Sequence, residues 1–266
     1  LFHYFLPSGA DRSALSLFAS RGVRGFADGF VAVLLPVYLL ACGFNSVQVG
    51  ALATATMLGS ALATLAVGAW GHRFSTRALL LGAAILMSAT GLGFYSFTSF
   101  VPLLLVAFVG TLNPSSGDVS VFLPIEHSRL ASASDSRNRT DLFARYALTG
   151  ALCAAIGSLA SGLPGWAVSH FGVDRLEAIR AMFGLYGLAG LVIWWLYQRL
   201  PSAVKAASAK PPAPLDASRA IVVRLAMLFS VDSFAGGLVV NSLLALWLFT
   251  RFGISPGAAG LFFFGA

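Results

Sequence analysis

The stretch Gly68-Ala69-Trp70-Gly71-His72-Arg73-Phe74-Ser75-Thr76-Arg77 is a short basic joint between two long apolar runs, at about 46–70 and 77–98. Each run matches or exceeds the roughly 20 residues needed to cross a hydrocarbon core as a helix. Lysine and arginine gather in the cytoplasmic connections of membrane proteins, so a joint of this kind marks a side of the bilayer. The stretch therefore decides the class of fold before any other motif is considered: an all-α membrane protein.

Composition agrees. Of the 266 residues, 58% are hydrophobic and only 10% are charged. A soluble domain carries about 25% charged residues and needs them to cover its surface. The net charge of +7 does not indicate nucleic acid, because the basic residues sit in the joints between apolar runs. Cys42 and Cys153 both fall inside apolar runs, which gives no disulfide framework, and no cluster has metal-ligand spacing. No cofactor is expected. The first apolar run, Leu1 to Leu6, is too short to span and has no basic segment before it, so no cleavable signal peptide is evident. The chain is read as a fragment that lacks C-terminal spans, because it stops inside an apolar run at Ala266.

Apolar runs of spanning length occur at about 17–42, 46–70, 77–98, 100–124, 141–164, 178–198 and 221–250, and an eighth opens near Gly257. They are continuously apolar, without the two-residue alternation of barrel strands. Glycines inside them, such as Gly59, Gly91, Gly157 and Gly187, suit close helix packing in lipid. With the N-terminus inside, 14 of the 17 lysines and arginines face the cytoplasm, and only Arg175, Arg180 and Arg251 lie outside. That bias assigns a cytoplasmic N-terminus. Trp194, Trp195 and Tyr197 are expected in the inner aromatic belt, and a bacterial-type plasma (inner) membrane is the expected location.

The Pro-, Ala- and Ser-rich stretch from Pro201 to Ser218 has the composition of a semi-extended linker. It predicts three parts: a six-helix bundle at 1–199, a cytoplasmic linker at 200–219, and the start of a second bundle at 220–266. A repeat supports the division. Phe26-Ala27-Asp28-Gly29 pairs with Phe234-Ala235-Gly236-Gly237 at an offset of 208 residues. Gly43-Phe44-Asn45-Ser46, followed by Gly50, pairs with Gly253-Ile254-Ser255-Pro256, followed by Gly260, at an offset of 210. Parallel repeats of this kind recur in secondary transporters.

Gly68, Arg73 and Arg77 now gain a second meaning. They match the loop signature of the major facilitator superfamily, which reads Gly, three residues, Asp, a basic residue, one residue, Gly, one residue and two basic residues. His72 stands at the acidic position, Ser75 at the second glycine and Ala78 at the last basic position. The chain thus resembles that family in motif, topology and layout. The resemblance implies a six-helix bundle of spans one to six plus span seven and part of span eight. It also implies alternating access, with Gly68, His72, Arg73 and Arg77 as a gating motif that latches onto Asp118. A histidine at position 72 opens the option of a pH-dependent latch, against that of a solvated loop side chain.

Ionisable groups at bilayer depth are costly and mark pathways or internal pairs. Arg24 and Asp28 share a helix face four residues apart, as a local ion pair or with Asp28 turned to the central path. Asn113-Pro114-Ser115-Ser116-Gly117-Asp118 is the most polar patch inside any span, and its proline loosens the helix. Asp118 and Arg145 straddle one loop at similar separations, which predicts an ion pair between them. Asp232 lies eight residues beyond Arg224, about 12 Å at helical rise, and Asn241 about 15 Å from Arg251. Asp28, Asn113, Asp118, Asp232 and Asn241 are the expected path-lining residues. Glu126 and His127 are expected at the solvated inner end of span four.

The function expected is secondary active transport of a small solute, with a proton as candidate co-solute, by a monomer in a lipid bilayer without nucleic acid. No nucleotide-binding loop appears, and no residues group as a catalytic site. The alternative is a non-transporting enzyme or sensor on the same fold.

Overall fold

Local caps fix where the helices begin and end. Asn45 and Gln48 form a reciprocal capping box at the start of one helix. The Ser75 hydroxyl accepts from the Ala78 amide at the start of the next. The Asp174 carboxylate accepts from the amides of Leu176 and Glu177. Each satisfies backbone donors that a helix start leaves open. Gly172 and Gly253 close helices in the left-handed conformation, both at φ 64°, where a side chain would be strained. The computed structural model describes residues 12–115, 120–132, 139–201, 219–237 and 240–265.

In chain order the helices are α1 (Arg12–Ala41), α2 (Ser46–Trp70), α3 (Thr76–Ser96), α4 (Phe100–Val109), α5 (Phe122–Ser132), α6 (Arg139–Ala160), α7 (Leu163–Phe171), α8 (Arg175–Gln198), α9 (Arg219–Gly237), α10 (Asn241–Phe252) and α11 (Pro256–Gly265). A 3-10 turn, Gly71–Arg73, joins α2 to α3. No strand occurs among the described residues. The fold is an all-α membrane fold.

Five segments are long and apolar enough to cross a membrane: Ala14–Ala41, Ser46–Arg73, Thr76–Ser96, Arg139–Phe171 and Arg175–Gln198. The first is the most enclosed, with 83% of its apolar window buried. It lies centrally because α6, α8 and α10 all pack on it. Small residues allow this. A Cβ on Gly25 would meet the Gly150 carbonyl oxygen at 2.6 Å, and Cβ atoms on Gly29 and Gly157 would collide with backbone across the same α1–α6 contact. Gly91 and Gly187 bring α3 and α8 together in the same way. Where lipid competes for apolar surface, such close backbone approach is what holds helices together.

Two of the apolar runs are not continuous helices. The run at 100–124 ends as helix at Val109, and Gly110 and Thr111 to Asn113 leave the helical path before α5 begins. Pro114 cannot donate to a ladder, and Asn113 turns its side-chain oxygen onto the Ser115 amide at 3.0 Å, which competes with helix. The run at 221–250 is likewise two helices, α9 and α10, with Val240 extended at the junction.

The second set of helices meets the first unevenly. α10 and α11 pack against α1, and α11 also against α6. Ser161 Oγ donates to the Pro256 carbonyl at 2.9 Å and Ser158 Oγ to the Gly260 carbonyl at 3.0 Å. By contrast, the described side chains of α9 are exposed. The linker expected at 200–219 lies almost wholly outside the described residues.

Candidate functional site

The site is built outward from α1. Arg24 and Asp28 occupy consecutive turns of one face, and both are buried, at 1% and 2% exposure. They do not form the expected ion pair. Arg24 Nη2 instead reaches Glu126 Oε2 on α5 at 2.6 Å. Glu126 is not solvated at the inner end of its span, as hydropathy suggested, but 0% exposed. Its carboxylate also accepts from Tyr197 OH at 2.5 Å and from Tyr146 OH. The Arg24 guanidinium lies over the Phe122 ring, 4.6 Å from its centroid. Charge, two hydroxyls and an aromatic face thus compensate a carboxylate that could not stand alone at this depth. Tyr197, expected in the aromatic belt, is drawn inward by this bond, while Trp195 is exposed and stacks under Arg199 at 3.6 Å.

Polar atoms without partners lie close by on buried side chains. They belong to Asp28 (Oδ1), Asn113 (Nδ2) and Arg24 (Nε and Nη1). Orphan polar atoms in so apolar a setting are costly. Tyr186 on α8 stands beside this region, donating its hydroxyl to the Thr111 carbonyl at 3.1 Å.

Above Asp28 the two interrupted spans meet. The Ser242 amide donates to the Pro114 carbonyl at 3.1 Å. Its hydroxyl contacts the carbonyls of Pro114 and Ala32, at 2.9 and 3.0 Å. Asn241 Nδ2 reaches the Ser115 carbonyl at 3.4 Å. Backbone that leaves the helix at membrane depth is tolerated where it is buried or lines a cavity. Here the carbonyls freed in one broken span are taken up by the start of the helix beyond the other break. Beside this junction Asn241, Gly29, Ala32 and Phe262 help line a groove of about 570 Å³ between α1, α6, α10 and α11.

The structure therefore unites Asp28, Asn113 and Asn241 in one region of the bundle. Asp232 stands apart, exposed on α9. Asp118 lies outside the described residues, and with it the expected pair to Arg145 and the expected latch to Arg73. Arg145 bonds Asp141 at 3.0 Å, one turn away. In the gating motif His72 and Arg73 are exposed and Gly68 faces open space. Arg77 Nη2 donates to the Gln198 carbonyl at 2.7 Å, where a cation suits a helix C-terminus. Sequence reasoning missed the bonds that gather Glu126, Tyr146 and Tyr197, and it missed Ser242. A buried carboxylate between two tyrosines on other spans leaves no local spacing to read.

A centrally buried span among five helical segments long and apolar enough to cross a membrane defines an integral, multi-pass membrane protein. The family model for the Major Facilitator Superfamily matches residues 17–266, and the chain belongs to that superfamily. It is also 30% identical over 158 residues to a Saccharomyces cerevisiae protein described as "Uncharacterized membrane protein YJR124C", covering 58% of this chain and 34% of that protein. The chain thus spans about a third of the length of that relative.

Proposed function

We propose that this chain forms the first bundle and the beginning of the second in a secondary active transporter. The protein would carry a small solute by alternating access, in a plasma (inner) membrane with its N-terminus in the cytoplasm. The observation that carries this reading is the junction of the two broken spans, Ser242 on the Pro114 and Ala32 carbonyls, one helical turn from buried Asp28. Transporters place their solute and coupling-ion sites at such interruptions, where two repeats meet. The residues 1–199, 200–219 and 220–266 are read as bundle, linker and second bundle. The excess of basic residues in one set of connections supports the orientation.

Asp28 is the proposed proton carrier, because an intramembrane carboxylate with an unpartnered oxygen has a place for a proton and no fixed counter-charge in contact. Asn113 and Asn241 are the proposed solute ligands. The test uses the full-length protein in liposomes with an entrapped pH-sensitive dye and a panel of neutral, cationic and anionic small solutes. A solute that drives dye response with wild type and not with Asp28→Asn supports the reading. If every responding solute moves protons equally through Asp28→Asn, coupling at this residue is refuted.

A further inference from the structure

The close α3–α8 contact at Gly91 and Gly187 leaves a groove of about 740 Å³ along its exposed side. Ile85, Ala89 and Tyr95 line it from α3, and Ala181, Leu188 and Leu191 from α8. All six are exposed. The second set of helices packs chiefly on α1 and α6, so the membrane itself covers this face. Ile85 and Tyr95 are separated by about 15 Å of helix. That is half of a hydrocarbon core about 30 Å thick, the depth of one leaflet.

Only one end of the groove is polar. Ser88 also lines it, but its hydroxyl is turned to the Ala84 carbonyl at 3.1 Å. Tyr95, in the last turn of α3, closes the end near the membrane surface. A Cβ on Gly184 would lie 3.5 Å from the Tyr95 ring, and the Arg180 guanidinium stands 5.3 Å from the ring centroid. Arg180 is fixed there. Its Nε donates to the Tyr95 carbonyl at 2.6 Å and its Nη1 to the Glu177 carboxylate. Neither Arg180 Nη2 nor the Tyr95 hydroxyl has a hydrogen-bond partner among the described residues. We infer that α3 and α8 form a site for one phospholipid, with an acyl chain along the groove and the phosphate on Arg180 and Tyr95. A guanidinium binds phosphate through charge-assisted hydrogen bonds, and basic pockets between spans take lipid head groups. Glu177, half exposed, holds one edge of Arg180 and leaves the other to the lipid. A sterol would bring a hydroxyl and no anion, and a second copy of this face would set Arg180 against another cation. On the proposed orientation the site lies in the outer leaflet. It shares no lining residue with the groove beside Asn241, and neither solute nor proton enters its test.

Native mass spectrometry of the delipidated full-length protein tests the site. The probes are palmitoyl-oleoyl phosphatidylglycerol, the diacylglycerol with the same chains, and cholesterol. The expected result is one phosphatidylglycerol retained per protein. Ala89→Phe, which fills the groove, and Arg180→Gln, which removes the cation, should each weaken its binding by about tenfold or more. Leu105→Trp, on the exposed face of α4, should bind as wild type. The diacylglycerol should bind wild type about tenfold more weakly than phosphatidylglycerol does, and equally in Arg180→Gln. Ala181→Phe replaces Ala89→Phe if the latter does not fold. Wild type that retains no phosphatidylglycerol overturns the site, as does binding that Ala89→Phe leaves unchanged, which is the behaviour of surrounding lipid. Equal loss of both glycerolipids in Arg180→Gln overturns the phosphate contact. Cholesterol retained in preference, or a dimer that Ala89→Phe abolishes, overturns the phospholipid as occupant.

Discussion

Glu126 shows how much one side chain can decide in a low-dielectric interior. It is 0% exposed and accepts from Arg24, Tyr146 and Tyr197, so α1, α5, α6 and α8 converge on one carboxylate. Removing one partner of a buried pair leaves the other charge uncompensated, at a cost of about 3–5 kcal/mol. Glu126→Ala should therefore unfold the protein at markedly lower temperature in detergent. Glu126→Gln should retain part of the lost stability, because its amide oxygen still accepts from a tyrosine. His72 gives the opposite expectation. It is an exposed side chain in a 3-10 turn, so His72→Gln should leave the pH profile of transport unchanged. A shifted profile would restore the pH-dependent latch that its position in the gating motif suggests.

At the scale of the element, the glycines divide into those that hold helices together and those that do not. A Cβ on Gly91 would meet the Gly187 backbone, whereas Gly82 faces open space in the same helix. Gly91→Leu should separate α3 from α8 and abolish the monodisperse peak in size-exclusion chromatography, while Gly82→Ala should elute as wild type. The apolar runs themselves are legible in the sequence, because span length and hydropathy depend on local composition. Breaks inside runs 100–124 and 221–250 are only half legible. Pro114 announces the first, but nothing as blunt marks Val240. Once a span leaves the helix it no longer advances 1.5 Å per residue along its axis. The depth of everything after the break is then lost to counting, which is why hydropathy puts Glu126 in solvent. The Arg24–Asp28 spacing does place both on one face, but spacing cannot report a competing carboxylate 102 residues away.

For the molecule as a whole, the contact between the two sets of helices is lopsided. α11 meets the end of α6 at Ser158, Ser161, Gly162 and Gly257, whereas α9 is exposed. On the proposed orientation this α6–α11 contact lies at the outer ends of its spans. Cysteines at Ser161 and Gly257, with Cys42 and Cys153 replaced by serine, should form a disulfide in the membrane that arrests transport, reversed by reductant. Free transport after complete cross-linking would show that this contact does not open in the cycle. Asp28 and Ser242 would then need another route to the outer face.

The hydrogen bond from Ser242 to Ala32 joins positions 210 residues apart, two more than the offset of 208 that relates Phe234 to Phe26 in the adjoining part of the sequence repeat and equal to the one that relates Gly253 to Gly43. In the proposed two-bundle arrangement, near-matching positions touch only close to the axis that relates the bundles. A point near that axis is the least displaced in the proposed alternation, so this bond is expected to act as the fulcrum of the motion and not as one of its gates. A cysteine at position 242 should accordingly stay shielded from water-soluble alkylating reagents whether the outer contact is cross-linked or free, while cysteines at the two ends of the bundle change accessibility in opposite senses.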